Sequence, residues 1–185
     1  MPFDTNIHES APMPQSFSAA LPVARIVLRI LMILNVLGGA AILALLAAMP
    51  IEQWIMTEFR LSPSPEADRL IMGLRAVAMV ALAAIAVNHV ILMRLFGIVE
   101  TVRAGDPFVA ANASRLQAIG WSLLGLQLLG VVTIVIAKTV SIPGRPLDFD
   151  AAAPISGWLA VLLAFVLARV FAEGSRMRRD LEGTI

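Results

Sequence analysis

The sequence predicts an all-α fold, a four-transmembrane-helix bundle whose second, third and fourth helices run on into the cytoplasm. Three observations predict it. Of 185 residues, 59% are hydrophobic and only 15% charged, and the mean hydropathy of +0.86 lies outside the range of soluble domains. Four apolar runs approach the roughly 20 residues that a helix rising about 1.5 Å per residue needs to cross a hydrocarbon core of about 30 Å. Between the second and third runs stands Gly105-Asp106-Pro107-Phe108, a helix stop followed at once by a helix start.

Taken in order, the chain opens with a polar stretch, 1–21, in which Pro2, Pro12 and Pro14 interrupt residues without apolar periodicity, so a disordered tail is expected there. A single membrane domain is expected over 22–185, with crossings at 26–49, 71–95, 116–138 and 155–172. The first run reads as a crossing rather than a cleaved signal peptide. Its basic residues, Arg25 and Arg29, come late, and its apolar stretch is too long for an h-region. After it, Pro50 opens a segment with Ile51, Trp54, Ile55 and Phe59 on one helical face, the pattern of a short helix lying on the outer surface. Pro143, Gly144, Pro146 and Pro154 make the third connection an extended loop.

Orientation follows from the basic residues. Arg25, Arg29, Arg94, Arg103, Arg115, Arg169, Arg176, Arg178 and Arg179 fall on one side, against Arg60, Arg69, Arg75, Lys138 and Arg145 on the other. The positive-inside rule then puts both termini and the turn at Gly105 in the cytoplasm. Trp54 and Trp158 are expected near the outer boundary and Trp121 near the inner one.

Beyond the second crossing, Leu95, Ile98, Val99 and Val102 form an apolar stripe beside Arg94, Glu100 and Arg103, so that helix is expected to leave the bilayer. Gly105 suits the left-handed residue that closes a helix, Asp106 suits the cap of the next and Pro107 its first position. The result is a cytoplasmic α-hairpin over 96–115. In the restarted helix Phe108, Asn112, Leu116 and Ile119 share a face, so Asn112 needs buried partners, for which carbonyls at a helix end are suited. The fourth helix continues over 173–185, with Val170, Gly174, Met177 and Leu181 at heptad-like spacing, and Gly174 allows close approach. These extensions, joined by the Arg25 end of the first helix, are expected to pack together.

Two stretches, VRAGDPFVAANASRLQAIGW and VFAEGSRMRRDLEGTI, together with the four-crossing layout, resemble a family of bacterial membrane proteins known as domain of unknown function 2975. Gly105, Asp106, Pro107, Phe108, Asn112, Arg115 and Leu116 match its first motif, and Phe171, Gly174, Asp180, Glu182, Gly183 and Thr184 its second. Ala111, Ser114 and Gln117 stand where the family often has charged residues. The resemblance implies no established activity. It implies the inner membrane of a bacterium and, because such proteins are often encoded beside a small helix-turn-helix regulator, a membrane partner for a transcription factor. Asn112, Arg115, Gly174, Asp180 and Glu182 are the residues it offers for interaction.

Little in the chain points to catalysis, a cofactor or a metal. There is no cysteine, and His8 and His89 are isolated. No phosphate-binding glycine motif or zinc motif occurs, and no Asp or Glu falls inside the four runs. Glu100, Asp106, Asp180 and Glu182 have roles available as caps or as partners of Arg103, Arg115 and Arg178. Inside the membrane the polar residues are Asn35, Asn88 and Ser122 at one depth and Gln127 deeper, an expected interhelical hydrogen-bond cluster. Gly38, Gly39, Ala81 and Ala84 offer small surfaces for close packing.

The expected function is that of a non-enzymatic membrane anchor or sensor whose partners are the lipid bilayer and a soluble DNA-binding protein, without direct contact to nucleic acid. The alternative is a small transporter or oligomeric channel for an apolar or cationic compound, with Arg75 and Gln127 on its path. Homo-oligomerisation is compatible with either.

Overall fold

The computed structural model describes residues 15–47, 56–57, 64–140 and 155–182. Four long helices make up the fold, and the described residues contain no strand. They are α1 (Gln15–Ala47), α2 (Pro65–Arg103), α3 (Ala110–Val140) and α4 (Ile155–Glu182). Each is long and apolar enough to cross a membrane, the pattern of a multi-pass membrane protein.

The expected crossings at 71–95, 116–138 and 155–172 lie within α2, α3 and α4, and the one at 26–49 lies on α1 as far as Ala47, where the described part of that helix ends. With 39 residues, α2 is about 58 Å long at about 1.5 Å per residue, nearly twice the apolar thickness of a bilayer. Helix also begins earlier than expected in α1. Gln15 to Leu21, within the stretch read as tail, are helical, and Pro22 lies inside the helix. The surface helix expected around Trp54 falls mostly outside the described residues, where only Met56 and Thr57 are helical.

Local chemistry explains the ends of α2. Ser64 is its N-cap, with Oγ accepting from the Ala67 backbone N–H at 3.2 Å. Pro65 follows in the first turn with Glu66 and Asp68, which suit the positive end of the helix dipole. At the other end the chain closes in a Schellman motif. The Gly105 N–H donates to the Val102 carbonyl and the Asp106 N–H to the Thr101 carbonyl, both at 3.1 Å, while Gly105 takes φ +86°.

Packing runs mainly between consecutive helices, α1 on α2, α2 on α3 and α3 on α4. Ile91, Ile119 and Ala164 form the centre of the core, with Leu95, Ile98, Leu116, Leu123 and Leu126 against it. Glycines set several approaches. Gly39 is buried on Ile85, Gly120 lies beneath the Phe165 ring, and Gly73 lies against Val140, where a Cβ would coincide with that side chain.

The face that α4 buries differs from the expected one. Val161, Ala164 and Ala168 are buried, and Phe171, Ser175 and Arg178 continue the same spacing. Val170 and Met177 of the expected stripe are more than half exposed, and only Gly174 of the residues described on it turns inward. The reason is the solvent. Large apolar side chains gain little by leaving acyl chains, so small residues such as Ala164 and Ala168 can pack inward while Val170 faces outward.

Candidate functional site

Two ion pairs between helices lie at one end of the molecule, where α2 ends and α3 starts. The Arg25 Nε of α1 is 2.8 Å from Glu100 Oε1 of α2, and Arg103 approaches the other carboxylate oxygen at 4.0 Å. The guanidinium groups of Arg25 and Arg29 lie 5.9 and 5.7 Å from the centre of the Phe96 ring. The Asp106 carboxylate is ion-paired with Arg178 of α4. The hairpin, the start of α1 and the end of α4 are thus joined, as the sequence led us to expect.

Asp106 does this work in place of the capping role expected of it. After Gly105 the chain makes a turn through Pro107 and Phe108, and α3 begins only at Ala110. Asp106 and Pro107 therefore stand too early to be cap and first residue. Gly105 keeps its expected role, and Asp106 closes α2 through its backbone N–H. Phe108 reaches across to α4, with its ring centre 5.4 Å from that of Phe171. Gly174 makes room for it, since a Cβ there would stand 3.2 Å from the Phe108 ring.

Among the described residues Asn112 is the one large side chain buried completely. Its two amide protons go to the Thr101 hydroxyl at 2.7 Å and to the Pro107 carbonyl at 2.9 Å. Its Oδ1 accepts from Arg115 at 2.8 Å. Arg115 also donates to the Gly97 carbonyl at 3.0 Å, and Thr101 passes its own proton to the Ile98 carbonyl at 2.8 Å. Every polar position of Asn112 is used, as an amide removed from water requires. Gly97 is part of the arrangement, because a Cβ there would stand 2.9 Å from the Arg115 Nε.

Sequence reasoning named Asn112, Arg115 and Gly174 but missed Thr101 and Gly97. A signal was present. Thr101 lies five residues before Asp106 and Asn112 five after Pro107, and residues equidistant from the tip of an αα-hairpin face one another. Asp180 is exposed near the end of α4, and the side chain of Glu182 lies outside the described residues.

A cleft opens beside the ion pair, lined by Asp106, Phe108, Val109, Ser175, Arg178 and Arg179. Ser175 is buried and donates to the Ala172 carbonyl at 2.9 Å. Among the described residues no three of His, Asp and Glu gather in one place.

The membrane-level polar residues divide. The Asn88 amide donates to Asn35 Oδ1 at 2.8 Å, and the Asn35 amide donates to the Ile85 carbonyl at 3.0 Å. These two join α1 to α2 as expected. Ser122 and Gln127 do not extend the cluster. Ser122 belongs to α3, which has little contact with α1, and the Gln127 side chain lies over Gly157 of α4. Equal depth was the wrong test here, because the order of packing decides which polar groups can meet.

Neither the curated proteins nor the solved structures contain a match to the chain. Residues 52–185, which hold α2, the hairpin, α3 and α4, match the family described as Protein of unknown function (DUF2975). With well over half of its length so matched, including both ends of the Asn112 network and the Asp106–Arg178 tie, the chain belongs to that family.

Proposed function

We propose that the chain is a non-enzymatic regulatory protein of the bacterial inner membrane. Both termini and the hairpin face the cytoplasm, and the hairpin end holds a soluble partner of the small helix-turn-helix, DNA-binding kind. One observation carries this reading. At the hairpin Asn112 is fully satisfied, and Asp106 and Phe108 are tied to α4. Such bonding makes a rigid platform, and beside it Met177 and Arg176 are exposed. Rigid, preorganised surfaces bind with a smaller loss of conformational freedom. The excess of basic residues at this end supports the cytoplasmic orientation.

The test is site-specific photo-crosslinking in cells from Met177 at the hairpin end and from Glu66 at the opposite end. A DNA-binding protein joined only from Met177, which then binds the purified membrane protein in nanodiscs and is released by Asp106→Ala with Arg178→Ala, is the expected result. Identical adducts from both positions, or unchanged binding by the folded double variant, would exclude the hairpin as the docking surface.

A further inference from the structure

A second groove runs between α3 and α4 on the far side of Ala110. Its walls are Ala113, Ser114 and Gln117 of α3 with Phe165, Arg169 and Ala172 of α4, and no carboxylate lines it. Arg169 is exposed, and no ion pair or hydrogen bond engages it among the described residues. The Ser114 hydroxyl is turned to the Ala111 carbonyl at 2.8 Å, which leaves the Gln117 amide as the neutral donor on that wall. At the foot of the groove Phe165 stands edge-on to Trp121, with ring centres 5.3 Å apart, and Trp121 is 60% exposed. Exposed Trp collects at the level of lipid head groups. Arg169 lies one helical turn beyond Phe165 toward the hairpin end.

We propose that this groove binds the phosphate of an anionic phospholipid, with the acyl chains descending past Phe165 and Trp121. The physical reasons are three. A guanidinium free of a carboxylate partner matches phosphate in charge and in its paired donors. Small side chains at Ala113 and Ala172 leave a channel beside it instead of filling it. The aromatic pair sets the foot of the channel at the boundary where a lipid phosphate resides, and basic pockets between membrane helices are sites of this kind.

The full chain, purified in mild detergent, is mixed with equal amounts of phosphatidylglycerol and phosphatidylcholine, and bound lipid is counted by native mass spectrometry. Wild type is expected to retain phosphatidylglycerol about fivefold over phosphatidylcholine, the scale of one basic side chain at a lipid surface. Arg169→Gln brings the ratio near one. Ala172→Leu, which fills the groove at an exposed position and leaves the charge intact, does the same. Lys138→Gln, at the other end, keeps the preference, and millimolar inorganic phosphate does not displace the lipid. Equal retention by wild type overturns the proposal, as does a preference that survives Ala172→Leu or disappears equally in Lys138→Gln. Ready displacement by inorganic phosphate overturns it in favour of a free anion. Thermal unfolding of each variant separates loss of the site from loss of the fold.

Discussion

The amide nitrogen of Asn112 donates to the hydroxyl of Thr101 at 2.7 Å, joining the first turn of α3 to the last turn of α2 across the Gly105 turn. The bond is one of a set that leaves no polar atom of Asn112 idle, and it explains why an amide sits on a face otherwise occupied by Phe108, Leu116 and Ile119.

Replacing Asn112 by Leu strands the Pro107 carbonyl, the Thr101 hydroxyl and one bond of Arg115 together. A loss of roughly 2–4 kcal/mol is expected, since each buried group left unsatisfied costs about 1–3 kcal/mol and the groups relax in part. That corresponds to a fall in Tm of roughly 4–16 °C for a chain of this size. Thr101→Val removes the acceptor of one Asn112 proton and the donor to the Ile98 carbonyl, and costs about 1 kcal/mol. Thermal unfolding in detergent, followed by circular dichroism, reads both, and equal effects of the two variants would contradict the network.

Glycine substitutions separate the two reasons for glycine at the hairpin. Gly105→Ala meets no neighbour but must adopt φ +86°, at a cost of about 1–2 kcal/mol. Gly97→Ala has ordinary helical geometry but forces Arg115 away from the Gly97 carbonyl. Gly38→Ala has nothing within 4 Å and is expected to be neutral or stabilising by up to about 1 kcal/mol, the helix preference of Ala over Gly. The same unfolding measurement ranks them, and Gly97→Ala is rescued when Arg115 is shortened to Ala in the same chain.

The Asp106–Arg178 pair orients α4 without contributing much stability. Both side chains are well exposed, and pairs of that kind are worth about 0.2–1 kcal/mol. In a double-mutant cycle Asp106→Asn and Arg178→Gln are expected to couple by less than about 1 kcal/mol. Spin labels at Glu100 and Arg176 should nevertheless show a broader distance distribution in either variant. A coupling of several kcal/mol would mean that the pair is far better shielded from water than the structure indicates.

Asn35→Leu is expected to destabilise more than Asn88→Leu. The first removes two interhelical bonds, to Asn88 and to the Ile85 carbonyl, and the second only one. Hydrogen bonds between membrane helices average about 0.6 kcal/mol, so the difference is a few tenths to about 1 kcal/mol. Reversible unfolding in mixed micelles resolves it, and the opposite order would show that the Ile85 bond is not made.

The absence of cysteine from the sequence makes sidedness directly measurable. Met177→Cys is expected to react with an impermeant maleimide only after cells are opened, and Glu66→Cys to react in intact cells. The reverse pattern would put the hairpin outside and remove the proposed cytoplasmic partner.

By itself the sequence determined the number of crossings, the place of the hairpin, the left-handed glycine at its tip and the need of Asn112 for buried partners. Each of these follows from local physics: apolar length against bilayer thickness, the freedom of glycine at positive φ, and the cost of an unsatisfied amide. Only the tertiary structure decided which polar groups meet. It turned Asp106 from a cap into a partner of Arg178, supplied Thr101 and Gly97 to Asn112 and Arg115, and separated Ser122 and Gln127 from the Asn35–Asn88 pair. It also put Ala164, Ala168 and Ser175 on the packed face of α4, with Val170 and Met177 outside. In a membrane, apolar periodicity loses its power to mark the inner face, because lipid and protein interior are nearly equivalent surroundings for a hydrocarbon side chain. Close approach and hydrogen bonding then choose the neighbours, and both depend on the order in which the helices pack.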